Sequence, residues 1–161
     1  RPGARLRQRR RPLDALDAGA LEAAGVTALA KPAPEVTPEM APFFEGARRH
    51  ELVVQRCVAC GTLRFPARAA CNRCMSRDVT WVPVEGTGHV FSVAVMHQAN
   101  HPAFEAMLPY AVAVVELDCG VRMISNIVDC PAREVAIGMP VEVTWEERSA
   151  DVTLPVFRRR S

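Results

Sequence analysis

The sequence predicts a mainly β protein: an N-terminal helical segment, a small metal-stapled ribbon, then a five-stranded barrel. Three observations predict it. Two C-x-x-C pairs, Cys57 with Cys60 and Cys71 with Cys74, stand ten residues apart, as the sulfurs of a ribbon site do. From Val79 onward, short apolar-polar runs are punctuated by Gly, Asp and Pro, which is strand and turn chemistry. Ahead of the cysteines, Leu, Met and Phe recur at helical spacing. With 161 residues, 49% of them hydrophobic, the chain suffices for one ordinary domain or two small ones.

Residues 1–34 divide into an arm, a weak helix and a linker. Six arginines lie within Arg1–Arg11, so this stretch reads as a solvated arm, with a nucleic-acid or membrane tail as the alternative. Leu13, Leu16, Ala20, Leu21 and Ala24 form a helical stripe, interrupted by Gly19 and Gly25. Lys31-Pro32-Ala33-Pro34 follows as a stiff linker, because proline fixes φ and disfavours helix at the residue before it. The chain opens on Arg rather than Met, and we expect upstream sequence belonging to a longer protein.

Residues 35–78 read as a helix plus the ribbon. Thr37 is an N-cap candidate with Pro38 at the first helical position, and Met40, Phe43, Phe44 and Ala47 continue the helical spacing. Pro42 restricts this helix to about three turns with a late start or a kink. Phe43 and Phe44 are neighbours, so a wide apolar stripe is the first reading, and one of them is a candidate for a contact outside the chain. Leu52–Gln55 reads as a strand entering the first knuckle and Thr62–Pro66 as its return, with Gly61 supplying a left-handed turn. Each C-x-x-C turn sets two sulfurs on one side, and two facing turns make a closed tetrahedral shell. A closed shell leaves no position for water or substrate. It therefore points to a structural zinc, or iron in its place; two disulfides or a redox pair are the alternatives.

Residues 79–158 read as the barrel. Strands are expected at Val79–Val84, Gly88–His97, Tyr110–Leu117, Val121–Val128, Val141–Glu146 and Thr153–Phe157. The turns between them fall at Glu85–Gly88, Asp118–Gly120 and Ile137–Pro140. The irregular stretch Ala99–Leu108 interrupts this meander where an OB-fold carries a long connection. Other five-stranded barrels also fit the pattern.

Charge narrows the choice of partner. The net charge is +2, but nine of the 20 basic residues lie in Arg1–Arg11 and Arg158–Arg160; 11 remain against all 18 acidic ones. The body is thus acidic and disfavours a general nucleic-acid groove. No run of about 18 apolar residues appears and the N-terminus lacks a signal-peptide core, so the chain reads as cytoplasmic, without a membrane span.

In sum of motifs, the chain resembles the zinc-ribbon/OB-fold acyl-CoA-associated family, filed as domain of unknown function number thirty-five. The marks are Gln55-Arg56-Cys57-Val58-Ala59-Cys60-Gly61, Leu63-Arg64-Phe65-Pro66, Cys71-Asn72-Arg73-Cys74, Pro109–Leu117, Ile137–Val143 and Leu154-Pro155-Val156-Phe157. The likeness covers about Pro38 to Arg158, and Ala67 and Asn72 depart from it where proline is frequent. It implies a rubredoxin-like ribbon with zinc on the four cysteines, followed by an OB-fold. It also implies a non-catalytic accessory subunit or domain that binds or channels acyl-CoA thioesters in a hetero-oligomer with a thiolase-like partner. A sterol-carrier-type retro-aldolase of steroid side-chain degradation ranks first, and a β-ketoacyl-CoA thiolase or synthase second. Some members are fused behind a hot-dog-fold hydratase. The residues agree on chemistry: no Ser-His-Asp set, carboxylate pair beside a histidine, or glycine-rich phosphate loop is evident.

Candidate contacts with CoA or the partner form two groups. Arg64, Arg68, Arg73 and Arg77 crowd the ribbon and suit phosphates; the plain alternative is a solvated basic rim. Phe65 beside Pro66 is a stacking candidate or ribbon core. His97, Asn100, His101 and Phe104 fall in the irregular barrel segment, where loops meet ligands; an ordinary polar loop is the alternative. Cys119 and Cys130 read as reduced bystanders, and Trp81 and Trp145 as barrel core. A competing function is a single-stranded nucleic-acid-binding OB-fold, though aromatics make up only 6% of the chain. An autonomous hydrolase or ligase would require thioester turnover by this chain alone.

Overall fold

The computed structural model of the protein describes residues 30–160; the expected arm and the Leu13–Ala24 stripe lie outside them. The ribbon is built on strand β1 (Val53–Cys57), which pairs antiparallel with the short β2 (Leu63–Arg64) on one edge and with β3 (Val79–Pro83) on the other. The Val79–Val84 strand, expected in the barrel, thus belongs to the ribbon. The reason is an open edge: β2 covers only two residues of β1, and Val53 to Cys57 find their main-chain partners along Pro83 to Val79.

The other five strands close a barrel in the order β4-β5-β6-β8-β7. They are β4 (Thr87–Met96), β5 (Tyr110–Leu117), β6 (Arg122–Val128), β7 (Pro140–Glu147) and β8 (Thr153–Arg159). Neighbours run antiparallel except β6 and β8, which are parallel, giving the five-stranded Greek-key closure of an OB-fold. The N-terminal part of β4 makes the closure, since Gly88 pairs with both Leu117 and Val141. A Cβ there would lie 2.2 Å from the Glu116 carbonyl oxygen, so only glycine lets three strands meet. Along β5 burial alternates residue by residue, with Ala111, Ala113, Val115 and Leu117 inside. Phe157, Leu117, Val90, Val115 and Val141 are fully buried and fill the interior. Ligands must therefore meet the barrel from outside.

β8 runs to Arg159, beyond the expected end at Phe157. Two of the three closing arginines, Arg158 and Arg159, are therefore paired in the ladder: Arg158 stands opposite Glu142, with its Nε 2.8 Å from Oε1.

Helix α1 (Ala41–Arg48) begins later than the Thr37 cap suggests. Thr37 closes a turn instead, its carbonyl accepting from Met40 N–H at 3.0 Å, and Pro42 occupies the first turn of an eight-residue helix. Both phenylalanines are buried, Phe43 at 5% and Phe44 at 8% exposure, as a wide apolar stripe requires; neither is left for a contact outside the chain. α1 packs on β1 of the ribbon and β8 of the barrel at once, so two of its faces are covered. Phe43 meets Phe65 of the ribbon at 4.9 Å between ring centroids. Trp81, in β3, is a ribbon rather than a barrel residue; Trp145, in β7, stacks on His50 at 5.4 Å.

Candidate metal centre and contact surfaces

The two knuckles are built by one repeated backbone device. Cys57 N–H donates to the Thr62 carbonyl and Cys71 N–H to the Ser76 carbonyl, while Gly61 N–H and Met75 N–H return to the carbonyls of Cys57 and Cys71. The fifth residue of each knuckle is left-handed, Gly61 at φ 72° and Met75 at φ 62°. Glycine adopts that region freely and methionine does not. Met75→Gly is therefore expected to stabilise the folded protein by about 0.5–1 kcal/mol, read as a higher midpoint in denaturant; Met75 is 73% exposed, so no packing is lost.

The four cysteine sulfurs lie within 4.8 Å of one another, with Cys57 to Cys74 at 3.5 Å and Cys60 to Cys71 at 3.6 Å. Tetrahedral zinc with sulfur at about 2.3 Å spaces its ligands about 3.8 Å apart, so the residues present fit the ion. The surrounding dipoles agree. Hydrogen bonds from the Thr62 hydroxyl and N–H hold Cys60 down at about 6, and the Arg73 and Cys74 N–H groups hold Cys71 low. Cys74 is pushed up to about 12: the bond from Ser76 N–H favours its thiolate, but the crowded sulfurs of Cys60 and Cys57 outweigh it. A cation at the centre relieves that crowding. A metal held this way supplies cross-linking and no open coordination position.

The ribbon arginines do not form one rim. Arg64 is 6% exposed; its Nε donates to Gln55 Oε1 at 2.8 Å and Nη2 to the Arg68 carbonyl at 3.2 Å. It is an internal brace between β1 and the loop before the second knuckle, not a free phosphate ligand. Arg68, Arg73 and Arg77 are exposed, and Arg68 lines a cleft of about 260 Å³ with Gln55, Glu39 and Trp81. Phe65 is partly buried against Phe43. In the barrel segment, His97 and Asn100 are exposed and line a separate cleft. His101 caps the 3-10 turn Pro102–Met107, its Nδ1 accepting from Ala103 N–H at 3.1 Å. Phe104 sits 6.2 Å from both His101 and Tyr110. No carboxylate is bonded to these histidines among the described residues; His89 approaches Glu116 at 4.0 Å, where Arg122 already holds the carboxylate.

One surface was not read from the sequence. The outer face of β5 and β6 forms an apolar groove of about 400 Å³ with the ribbon loop, lined by Phe65, Pro66, Val114, Arg122, Met123 and Ile124. Ile124 is 74% exposed, and the Arg122 guanidinium lies 3.5 Å over the Phe91 ring beside it. The signal was present in the alternation of β6, where Met123 and Ile127 point inward and Ile124 falls on the outward phase.

Residues 44–80 match the family described as "ChsH2, rubredoxin-like zinc ribbon domain" and residues 81–146 "ChsH2, C-terminal OB-fold domain". A solved structure titled "Ltp2-ChsH2(DUF35) aldolase" contains a chain that is 45% identical and superposes with a TM-score of 0.72, covering 79% of this chain and 98% of that one. This chain belongs to the DUF35 family. Within the family, it is 45% identical over 128 residues to a probable enoyl-CoA hydratase alpha subunit of Thermomonospora curvata, covering 80% of this chain and 40% of that protein. It is 38% identical over 112 residues to the 3-oxo-4,17-pregnadiene-20-carboxyl-CoA hydratase alpha subunit of Mycobacterium tuberculosis, covering 70% of this chain and 35% of that protein. This DUF35 chain thus spans well under half the length of both curated relatives. Among its described residues no helix is long and apolar enough to cross a membrane.

Proposed function

We propose that this chain is a non-catalytic accessory subunit or domain that docks on a thiolase-like, sterol-carrier-type retro-aldolase and helps bind or channel its acyl-CoA thioester. The observation that carries this reading is the likeness, at 45% identity and along nearly the whole matched chain, to the DUF35 component of an aldolase assembly. Names of longer relatives that act on CoA thioesters, one with a pregnadiene acyl group, support steroid side-chain degradation as the setting and fusion to a hydratase as one arrangement. In this reading the reacting groups belong to the aldolase.

The groove at Phe65 and Ile124 is the docking surface we assign to that subunit. It is apolar, outward-facing and next to the ribbon, and the filled barrel offers no internal ligand cavity. Arg68, Arg73 and Arg77 remain the candidates for the CoA phosphates. Aliphatic side chains on the outer β5–β6 face disfavour single-stranded nucleic acid, which needs exposed stacking rings there; the nearby Phe91 of β4 is 41% exposed, with the Arg122 guanidinium 3.5 Å over one face of its ring.

Co-expression with a thiolase-like aldolase, followed by size-exclusion chromatography and calorimetry with acyl-CoA, tests the reading. The expected result is a hetero-oligomer that binds the thioester more tightly than either chain alone. Thioester cleavage by the isolated chain would contradict it.

A further inference from the structure

The sequence contains one lysine among its 20 basic residues, Lys31, and it sits at the head of the proline linker. Its Nζ lies 2.7 Å from Glu146 Oε1 on β7. The other oxygen of the same carboxylate lies 2.9 Å from Arg148 Nη2, and Arg148 Nη1 donates to the Pro32 carbonyl at 3.3 Å. Each carboxylate oxygen thus holds a different cation, and one of those cations grips the linker main chain as well.

We infer that Lys31, Glu146 and Arg148 form a latch that seats the Lys31–Pro34 linker on strand β7 and fixes the direction in which the chain approaches the barrel. A free tether is the ordinary expectation for a charged, proline-bearing linker. Three features set this one apart. Arg148 is only 9% exposed at its side chain, and Lys31 and Glu146 are 29% and 26% exposed, so the network is sheltered from the screening that weakens open surface pairs. Pro32 and Pro34 hold fixed φ values and stiffen the stretch, so anchoring its first two residues sets the heading of the rest. Arg148 also reaches the far side: its guanidinium lies 5.9 Å over the Phe104 ring, in the turn Pro102–Met107. The latch therefore joins the linker to the barrel loop that carries Phe104 and His101.

The single lysine makes the test direct. Reductive methylation with ¹³C-formaldehyde keeps the charge and gives one side-chain methyl signal from Lys31, distinct from the terminal amine. In the unaltered chain this signal is expected away from the free-lysine position, with relaxation as slow-tumbling as the barrel. Glu146→Gln should move it to the free-lysine position with sharp lines. A sharp, free-lysine signal already present in the unaltered chain overturns the latch, whatever the variant does. So does a signal that Glu146→Gln leaves in place.

Discussion

Cys71→Ser is expected to abolish metal binding and to unfold the ribbon while the barrel persists. Cys71 is fully buried among the four sulfurs, and the ribbon has little else to hold it: β2 is two residues long and all three strands of the sheet lie within 30 or so residues of chain. Binding of structural zinc contributes about 10–16 kcal/mol in zinc-finger peptides, comparable to the whole stability of an ordinary domain. Losing one of four thiolates leaves the second knuckle unanchored. Amides of Val53–Cys57 should then lose their exchange protection, and α1 should loosen with them, because Phe43 rests on Phe65. Leu117, Val141 and Phe157 are fully buried inside the barrel and α1 reaches the barrel at β8, so the amides of β5, two strands away from that contact, should stay protected. Hydrogen exchange with mass spectrometry, alongside metal analysis, reads both halves of the result. A protected ribbon in the metal-free variant would refute the stapling argument.

Ile124→Asp is expected to weaken capture of the aldolase about 100-fold, or about 2.7 kcal/mol. The side chain is 74% exposed, so the charge disturbs no packing within the chain and the melting temperature should hardly change. At a buried docking surface the same carboxylate would be stranded among apolar groups. Ile137 supplies the control: it is equally exposed, at 73%, but lies outside the groove, and Ile137→Asp should leave affinity within about twofold. Surface plasmon resonance with the partner immobilised measures both. Equal affinity for Ile124→Asp and the unaltered chain would move the docking surface elsewhere without touching the metal site.

Much of this fold was legible because its signals are local. Two C-x-x-C pairs name their own ligands, and the alternation of Tyr110–Leu117 places its inward residues without any tertiary knowledge. What escaped depended on partners distant in sequence. Val79–Pro83 looks like any barrel strand until the open edge of β1 claims it. The wide stripe of Phe43 and Phe44 was readable, but not that it is covered by two different elements, β1 and β8. Arg64 resembles its exposed neighbours Arg68 and Arg73, yet Gln55 draws it inside the ribbon. The candidate site divides the same way: the sulfurs were readable from spacing, whereas the groove needs the Phe65 loop and the β5–β6 face brought together.

The most direct test of the account is native mass spectrometry of the purified chain, before and after a strong chelator, with circular dichroism on the same samples. The account predicts one tightly held zinc or iron ion per chain, and loss of ribbon structure when it is stripped. A folded chain that carries no metal, or whose spectrum the chelator leaves unchanged, would contradict it.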